Sequence, residues 1–202
     1  MTERVFVVDD DPRVRAALER LLKSEGLETE IFVSAENFLE RFDAGSEGCV
    51  LLDLAMPGRD GLAVQEELVR RGCEVPVVFV TGHGDVPASV RAMKRGAVDF
   101  LTKPAPSAVL LAAIREALER DRARREASQG LEEIARRLAS LTVRERQVLE
   151  GVVAGSLNKQ IAAKLGIAEK TVKTHRGRVM EKMGAGSVAE LVRLIGRADG
   201  IA

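Results

Sequence analysis

Short apolar runs recur through the first half of the chain, and they are continuous rather than alternating. They occupy 5–8 ("VFVV"), 49–54 ("CVLLDL"), 75–80 ("VPVVFV") and 97–101 ("AVDFL"), with a weaker run at 27–32 ("LETEIF"). Runs this short and rich in β-branched residues read as strands covered on both faces. Between them lie segments with helical spacing: "VRAALERLLKSEG", "SAENFLERF", "LAVQEELVRRG", "PASVRAMKRG" and "SAVLLAAIREALER". Gly26, Gly72 and Gly96 stand where such helices would end. Strand and helix in alternation imply a parallel sheet with right-handed crossovers and helices on both faces. Five βα units are present, so the expected fold class is α/β, a doubly wound five-stranded parallel sheet.

In open sheets of this kind the working site lies at the carboxyl ends of the strands. The first strand ends in Asp9, Asp10 and Asp11, the third in Asp53 and the fourth in Thr81. The fifth is followed by Lys103 and Pro104. Like charges held together raise one another's pKa unless something offsets them. A plain ion-pair network is one answer. The other is a hard divalent cation such as Mg2+ (or Mn2+), which takes one or two carboxylates, a carbonyl and waters. The cation would also make a phosphoryl group acceptable beside carboxylates. Asp53, central in the sheet, is then the candidate nucleophile, with Lys103 and Thr81 as candidate contacts for phosphoryl oxygens. Asp11 precedes a proline and reads as a helix N-cap, which leaves Asp9 and Asp10 for the metal.

"VVDDDP", "LLDLAMPGRDG", "VTGHGDV" and "GAVDFLTKP" resemble the receiver domain of two-component response regulators, in order and correctly spaced over about 100 residues. The resemblance implies a flavodoxin-like fold and transfer of a phosphoryl group from a sensor histidine kinase to Asp53. It implies metal binding by Asp9, Asp10, Asp53 and the backbone carbonyl of Ala55, and a cis peptide at Lys103–Pro104. Phe100 matches the family's switch aromatic, which moves with Thr81; read from its surroundings it is a core aromatic on an edge strand. Ala105 departs from the family, many members of which have an aromatic residue there.

Charge separates the two parts of the chain. Residues 1–120 hold 15 Lys and Arg against 21 Asp and Glu, and residues 121–202 hold 16 against 10. A basic part suggests nucleic acid as partner. Residues 121–139 read as a helical linker, with "SQG" at 128–130 expected to break or kink it. Its apolar stripe of Leu131, Ile134, Leu138 and Leu141 can pair with another helix, and packing on the chain's own next domain is the favoured reading. After 140 the strand signals stop. "TVRE" at 142–145 has a capping-box pattern, and four short helices follow.

"NKQIAAKLGIAEKTVKTHRGRVMEKM" reads as helix, tight turn, helix, and the second helix can lie in the DNA major groove. A basic solvated helix in a small bundle is the plainer reading. Residues 141–196 resemble the LuxR-type output domain, and the arrangement as a whole resembles the FixJ-like subgroup. The resemblance implies base contacts from Lys173, Thr174, Arg176 or Arg178; the family's third position is Gly177 here, which has no side chain to offer. Asn158, Lys159, Thr171 and Lys182 are candidates for phosphates, which position without specifying. His175 is expected to pack or to touch a phosphate. Ala168 stands where relatives often have a capping serine.

The expected organisation is a receiver over 1–120, a helical linker over 121–139 and a helix-turn-helix DNA-binding domain over 140–202. The expected activity is phosphorylation-dependent transcription regulation, with promoter DNA and RNA polymerase as partners. A homodimer would form through the face at 86–119. The chain is not expected to be a small-molecule enzyme. A haloacid-dehalogenase-like phosphatase needs its nucleophile on the first strand and a substrate cap. A flavin-binding protein needs a phosphate loop where "DDDP" stands. Cys49 and Cys73 lack metal-ligand spacing and read as reduced structural thiols. No apolar run approaches the ~20 residues that span a bilayer, and nothing reads as a signal peptide, so no membrane partner and a cytoplasmic location are expected.

Overall fold

The structure, a computed structural model, describes residues 3–82 and 85–199. Two compact units divide between Arg124 and Arg125. The first unit is built on five strands: β1 (Arg4–Val8), β2 (Glu28–Phe32), β3 (Gly48–Leu52), β4 (Val77–Thr81) and β5 (Asp99–Thr102). They form one parallel sheet in the order β2-β1-β3-β4-β5, the flavodoxin-like arrangement. The helices are α1 (Pro12–Ser24), α2 (Ala35–Arg41), α3 (Gly61–Arg70), α4 (Val86–Lys94) and α5 (Ser107–Ala139).

Successive strand residues face opposite sides, so β1 sends Phe6 and Val8 into one core and Val5 and Val7 into another. The first core takes Phe38, Leu62, Leu68 and Ala92 from α2, α3 and α4. The second takes Leu18, Leu22, Leu110 and Ile114 from α1 and α5. This two-sided burial is why the strands read as unbroken apolar runs. Helix entries are set by Asp11, Ser34, Asp60 and Asp85, whose side chains each accept from a backbone amide of the first turn. Gly26, Gly72 and Gly96 have φ of +76°, +67° and +86°, the left-handed region where a helix end favours glycine.

The helix α5 runs unbroken through Ser128, Gln129 and Gly130, against the expected break. A glycine inside a helix costs only about 1 kcal/mol, and the flanking residues are strong helix formers. The second unit adds α6 (Val143–Val153), α7 (Asn158–Leu165), α8 (Glu169–Met183) and α9 (Val188–Asp199). Ile134 and Leu141 are buried in its core with Val148, Leu149, Val179 and Met183, and Leu138 packs against them. Ile134, Leu138 and Leu141 of the expected stripe are therefore used within their own chain. Most of the expected 121–139 linker falls in this second unit. No described helix is long and apolar enough to cross a membrane.

Candidate functional site

The carboxyl edge of the sheet gathers the acids. Asp9 follows β1 and is buried; its amide donates to Phe32 O at 3.3 Å. Asp53 follows β3 and is buried; its amide donates to Val8 O at 2.9 Å. Asp10, between the β1 end and the helix cap, is exposed. Carboxylate oxygens of Asp9, Asp10 and Asp53 lie within 4.8 Å of one another. The Lys103 ammonium stands 2.5 Å from Asp9 Oδ2 and 3.2 Å from Asp53 Oδ1. Asp53 Oδ1 is buried and accepts no hydrogen bond of proper geometry. The Lys103–Pro104 peptide is cis, and the Lys103 amide donates to Thr81 O at 2.8 Å.

Burial pushes the Asp9 carboxyl above the usual range and the Asp53 charge adds to this, while the Lys103 hydrogen bond and the Asp11 amide oppose it. Burial alone would lower the Lys103 pKa, but the bond to Asp9 and the charges of Asp53 and Asp9 outweigh it, so it is raised. Asp11 stands apart. Its carboxylate caps α1 by accepting from the Arg13 amide at 2.8 Å, and the Arg13 side chain holds its pKa below the usual range.

Thr81, the last residue of β4, is fully buried, and Ala55 is exposed on the loop after Asp53. His83 and Gly84 of the quoted "VTGHGDV" lie outside the described residues. Phe100 is half-buried on the edge strand β5, away from the acids, with its ring 5.8 Å from that of Phe79.

Two further residues shape this site, Arg15 outside every quoted motif and Gly61 at the end of "LLDLAMPGRDG". The Arg15 guanidinium donates to Asp9 O at 2.7 Å and holds the turn that carries the acids. At Gly61 a Cβ would lie 2.3 Å from Asp53 O, so only glycine lets α3 approach there. The "RDG" at 59–61 carries a trace of this, since a glycine directly after a capping Asp often marks a close approach.

The candidate DNA-contact residues of the second unit fall on α7 and α8. The two helices meet through a turn at Gly166, which has φ +66°. Thr171, Lys173, Thr174, Gly177 and Arg178 are exposed on α8, and Lys159 is exposed on α7. The Thr174 hydroxyl donates to Lys170 O at 3.1 Å. Arg176 is half-buried and donates to Asn158 Oδ1 at 3.1 Å, tying α8 to the start of α7. His175 is half-buried, with Nδ1 buried and unpartnered. Lys182 reaches inward to Glu145 Oε2 at 2.7 Å and Ser140 O at 3.0 Å. Ala168 gives α8 no side-chain cap.

Comparison with known proteins follows this division. The family described as "Response regulator receiver domain" matches residues 5–115, and "Bacterial regulatory proteins, luxR family" matches 139–195. The chain is 47% identical to Nodulation protein W of Bradyrhizobium diazoefficiens, over 94% of this chain and 84% of that protein. It is 46% identical to the transcriptional regulatory protein FixJ of Azorhizobium caulinodans, over 94% and 90%. Among solved structures, the response regulator StyR aligns with a TM-score of 0.90 at 46% identity, covering 98% of this chain and all of that one. The buried acids under one lysine and the basic helix pair are thus the two halves of a known arrangement, and the chain belongs to the response regulators that join a receiver to a LuxR-type DNA-binding domain.

Proposed function

We propose that Asp53 accepts a phosphoryl group from the phosphohistidine of a sensor histidine kinase. The observation that carries this is the convergence of Asp9, Asp10 and Asp53 within 4.8 Å under a lysine that touches two of them. Asp53 presents a buried oxygen that faces the Lys103 ammonium at 3.2 Å and is committed to no backbone amide. Hard carboxylate oxygens in this number fit Mg2+ or Mn2+, held by Asp9, Asp10, Asp53 and the Ala55 carbonyl. The cation would supply charge neutralisation for the carboxylates and for the phosphoryl oxygens. Lys103, already between two carboxylates, is placed to pair with a phosphoryl oxygen, and Thr81 offers its hydroxyl to another.

The added phosphoryl group carries about −1.5 to −2 charges. Thr81 and Phe100 respond together and remodel the face at 86–119, which then pairs two chains. Val86, Val90 and Met93 on α4 and Val109 on α5 are exposed apolar residues on that stretch, as a pairing face requires. A pair of helix-turn-helix units then reads two half-sites about one helical turn apart. Lys173, Thr174 and Arg178 face the base edges. Lys159 and Thr171 contact phosphates, and Asn158, Arg176 and His175 sit behind them. The outcome is regulated transcription in the cytoplasm, by activation through RNA polymerase, and not turnover of a small-molecule substrate.

Intact-protein mass with Mg2+ and acetyl phosphate, run beside gel filtration, tests this. A Mg2+-dependent adduct that Asp53→Asn abolishes, with a shift to dimer, is the expected result. An adduct without the dimer removes the 86–119 switch. No adduct removes Asp53 as acceptor.

A further inference from the structure

Lys182 is one of the basic residues of α8, and charge alone would assign it to the DNA backbone. Its geometry assigns it elsewhere. Glu145 is buried and already closes the capping box of α6: its Oε2 accepts from the Thr142 amide at 2.9 Å, and its own amide donates to Thr142 Oγ1 at 3.3 Å. A buried carboxylate without a cation is costly, and Lys182 supplies the cation at 2.7 Å. The Lys182 pair is the main reason the Glu145 carboxyl is pulled down to about 2. A second Lys182 bond goes to Ser140 O, at the end of α5.

A matching contact runs the other way. The Arg137 guanidinium, held by Glu133 at 2.7 Å, donates to Met183 O at 2.8 Å. Met183 is the last residue of α8, and the four final carbonyls of a helix have no partner within it. Gly184 follows with φ +64°, and a Cβ there would lie 2.4 Å from Arg137 Nη1. The glycine makes room for the guanidinium. The last turns of α5 and α8 thus each donate to a carbonyl at the other's end, over the shared apolar core of Ile134, Leu141, Val179 and Met183.

We infer that Arg137 and Lys182 are positioning residues for DNA recognition: together with Glu145 they clamp the carboxyl end of the recognition helix to the end of α5, and neither contacts a phosphate. The inference rests on the assignment of α8 to DNA. It places the end of α5 inside the reading unit, so a DNA-binding fragment that begins at 140 lacks half the clamp.

Salt dependence separates the roles. Each phosphate contact on duplex DNA contributes about 0.9 to the slope of log affinity against log salt. The full-length protein is titrated with a short labelled duplex of mixed sequence between about 50 and 200 mM salt, and hydrogen exchange is followed at the Met180–Met183 amides. Lys159→Met, at a proposed phosphate contact, should reduce the slope by about 0.9. Lys182→Met and Arg137→Met should leave the slope unchanged, weaken binding by about three- to tenfold at every salt concentration and speed exchange at the end of α8. Lys182→Arg, which keeps the cation, should restore both. A slope reduced by about 0.9 in Lys182→Met with unchanged exchange makes Lys182 a phosphate contact and overturns the inference. If Lys159→Met leaves the slope intact, it is the assignment of the helix pair α7 and α8 to DNA that fails, and the exchange data still judge the clamp. If Lys182→Met does not fold, Arg137→Met, which leaves Glu145 paired, decides the same question.

Discussion

Removing the Lys103 ammonium should destabilise the receiver and make its stability depend more strongly on Mg2+. In Lys103→Met two buried carboxylates lose the cation that lies 2.5 Å and 3.2 Å from them. At an effective dielectric of about 20 those separations correspond to roughly 7 and 5 kcal/mol of attraction. Most of this is offset, because the lysine no longer has to be desolvated and the methionine packs as an apolar chain. Removal of one partner from a buried pair typically leaves a net loss of about 3–5 kcal/mol. Lys103 retains some contact with solvent, so the lower end of that range applies. The chain has no Trp or Tyr, and its two units would overlap in a single melting curve. Native-state hydrogen exchange at the Val50–Leu52 amides of β3 reads the first unit alone. A loss of about 3 kcal/mol corresponds to roughly a hundredfold faster exchange in metal-free buffer. Mg2+ should then recover more stability in the variant than in the wild type, since the uncompensated carboxylates attract it more strongly. Exchange unchanged without metal, or an equal Mg2+ effect in both proteins, would refute the electrostatic account.

Other consequences can be checked separately. Glu145, with its pKa depressed from 4.5 to about 2, chiefly by Lys182, contributes stability that is present above pH 4.5 and lost as the pH falls toward 2. Exchange at the α6 amides should therefore accelerate through that window, and Lys182→Met should flatten the dependence. Gly130 lies inside the continuous helix α5, where a Cβ would meet only Arg197 Nη2 at an ordinary 3.5 Å. Gly130→Ala should stabilise that segment by about 1 kcal/mol, seen as slower amide exchange at 128–132, and destabilisation would place a bend there after all.

The sheet was legible because burial on both faces leaves a strand no reason to alternate. The same rule overran at the ends. The runs at 75–80 and 97–101 begin two residues before β4 at Val77 and β5 at Asp99. Val75, Ala97 and Val98 are buried, so they are apolar for the core's sake although they precede the strands; the Val98 amide still donates to Val77 O at 2.8 Å, and Pro76 has no amide to donate. The acids were legible because topology alone brings strand ends together. The pairings of long side chains were not. Arg15 to Asp9 O, Arg176 to Asn158 and Lys182 to Glu145 span 6, 18 and 37 residues. A flexible cation chooses among several acceptors by tertiary proximity, which no local pattern encodes. Lys182 illustrates the cost: it lies among the basic residues of α8, yet its ammonium serves the core.

Among the described residues, the carboxyl edge of the sheet carries six aspartates in two kinds, and the difference bears on which one is the proposed acceptor. Asp11, Asp60 and Asp85 are helix caps; each gives its carboxylate to a first-turn amide at 2.7–2.8 Å. Negative charge is favourable at a helix N-terminus, so these three need no metal and have no free nucleophilic role. Asp9 is partly committed, with Oδ1 accepting from the Asp11 amide at 2.9 Å and Oδ2 from Lys103. Asp10 is solvated. Asp53 combines burial with a carboxylate oxygen that no amide occupies and that faces the Lys103 ammonium at 3.2 Å. An attacking oxygen must give up whatever it is bonded to, and of the two buried carboxylates Asp53 is the less committed, which supports it as the proposed acceptor. The choice of Asp53 as the proposed acceptor therefore rests on how the neighbouring amides are distributed as much as on where Asp53 lies in the sheet.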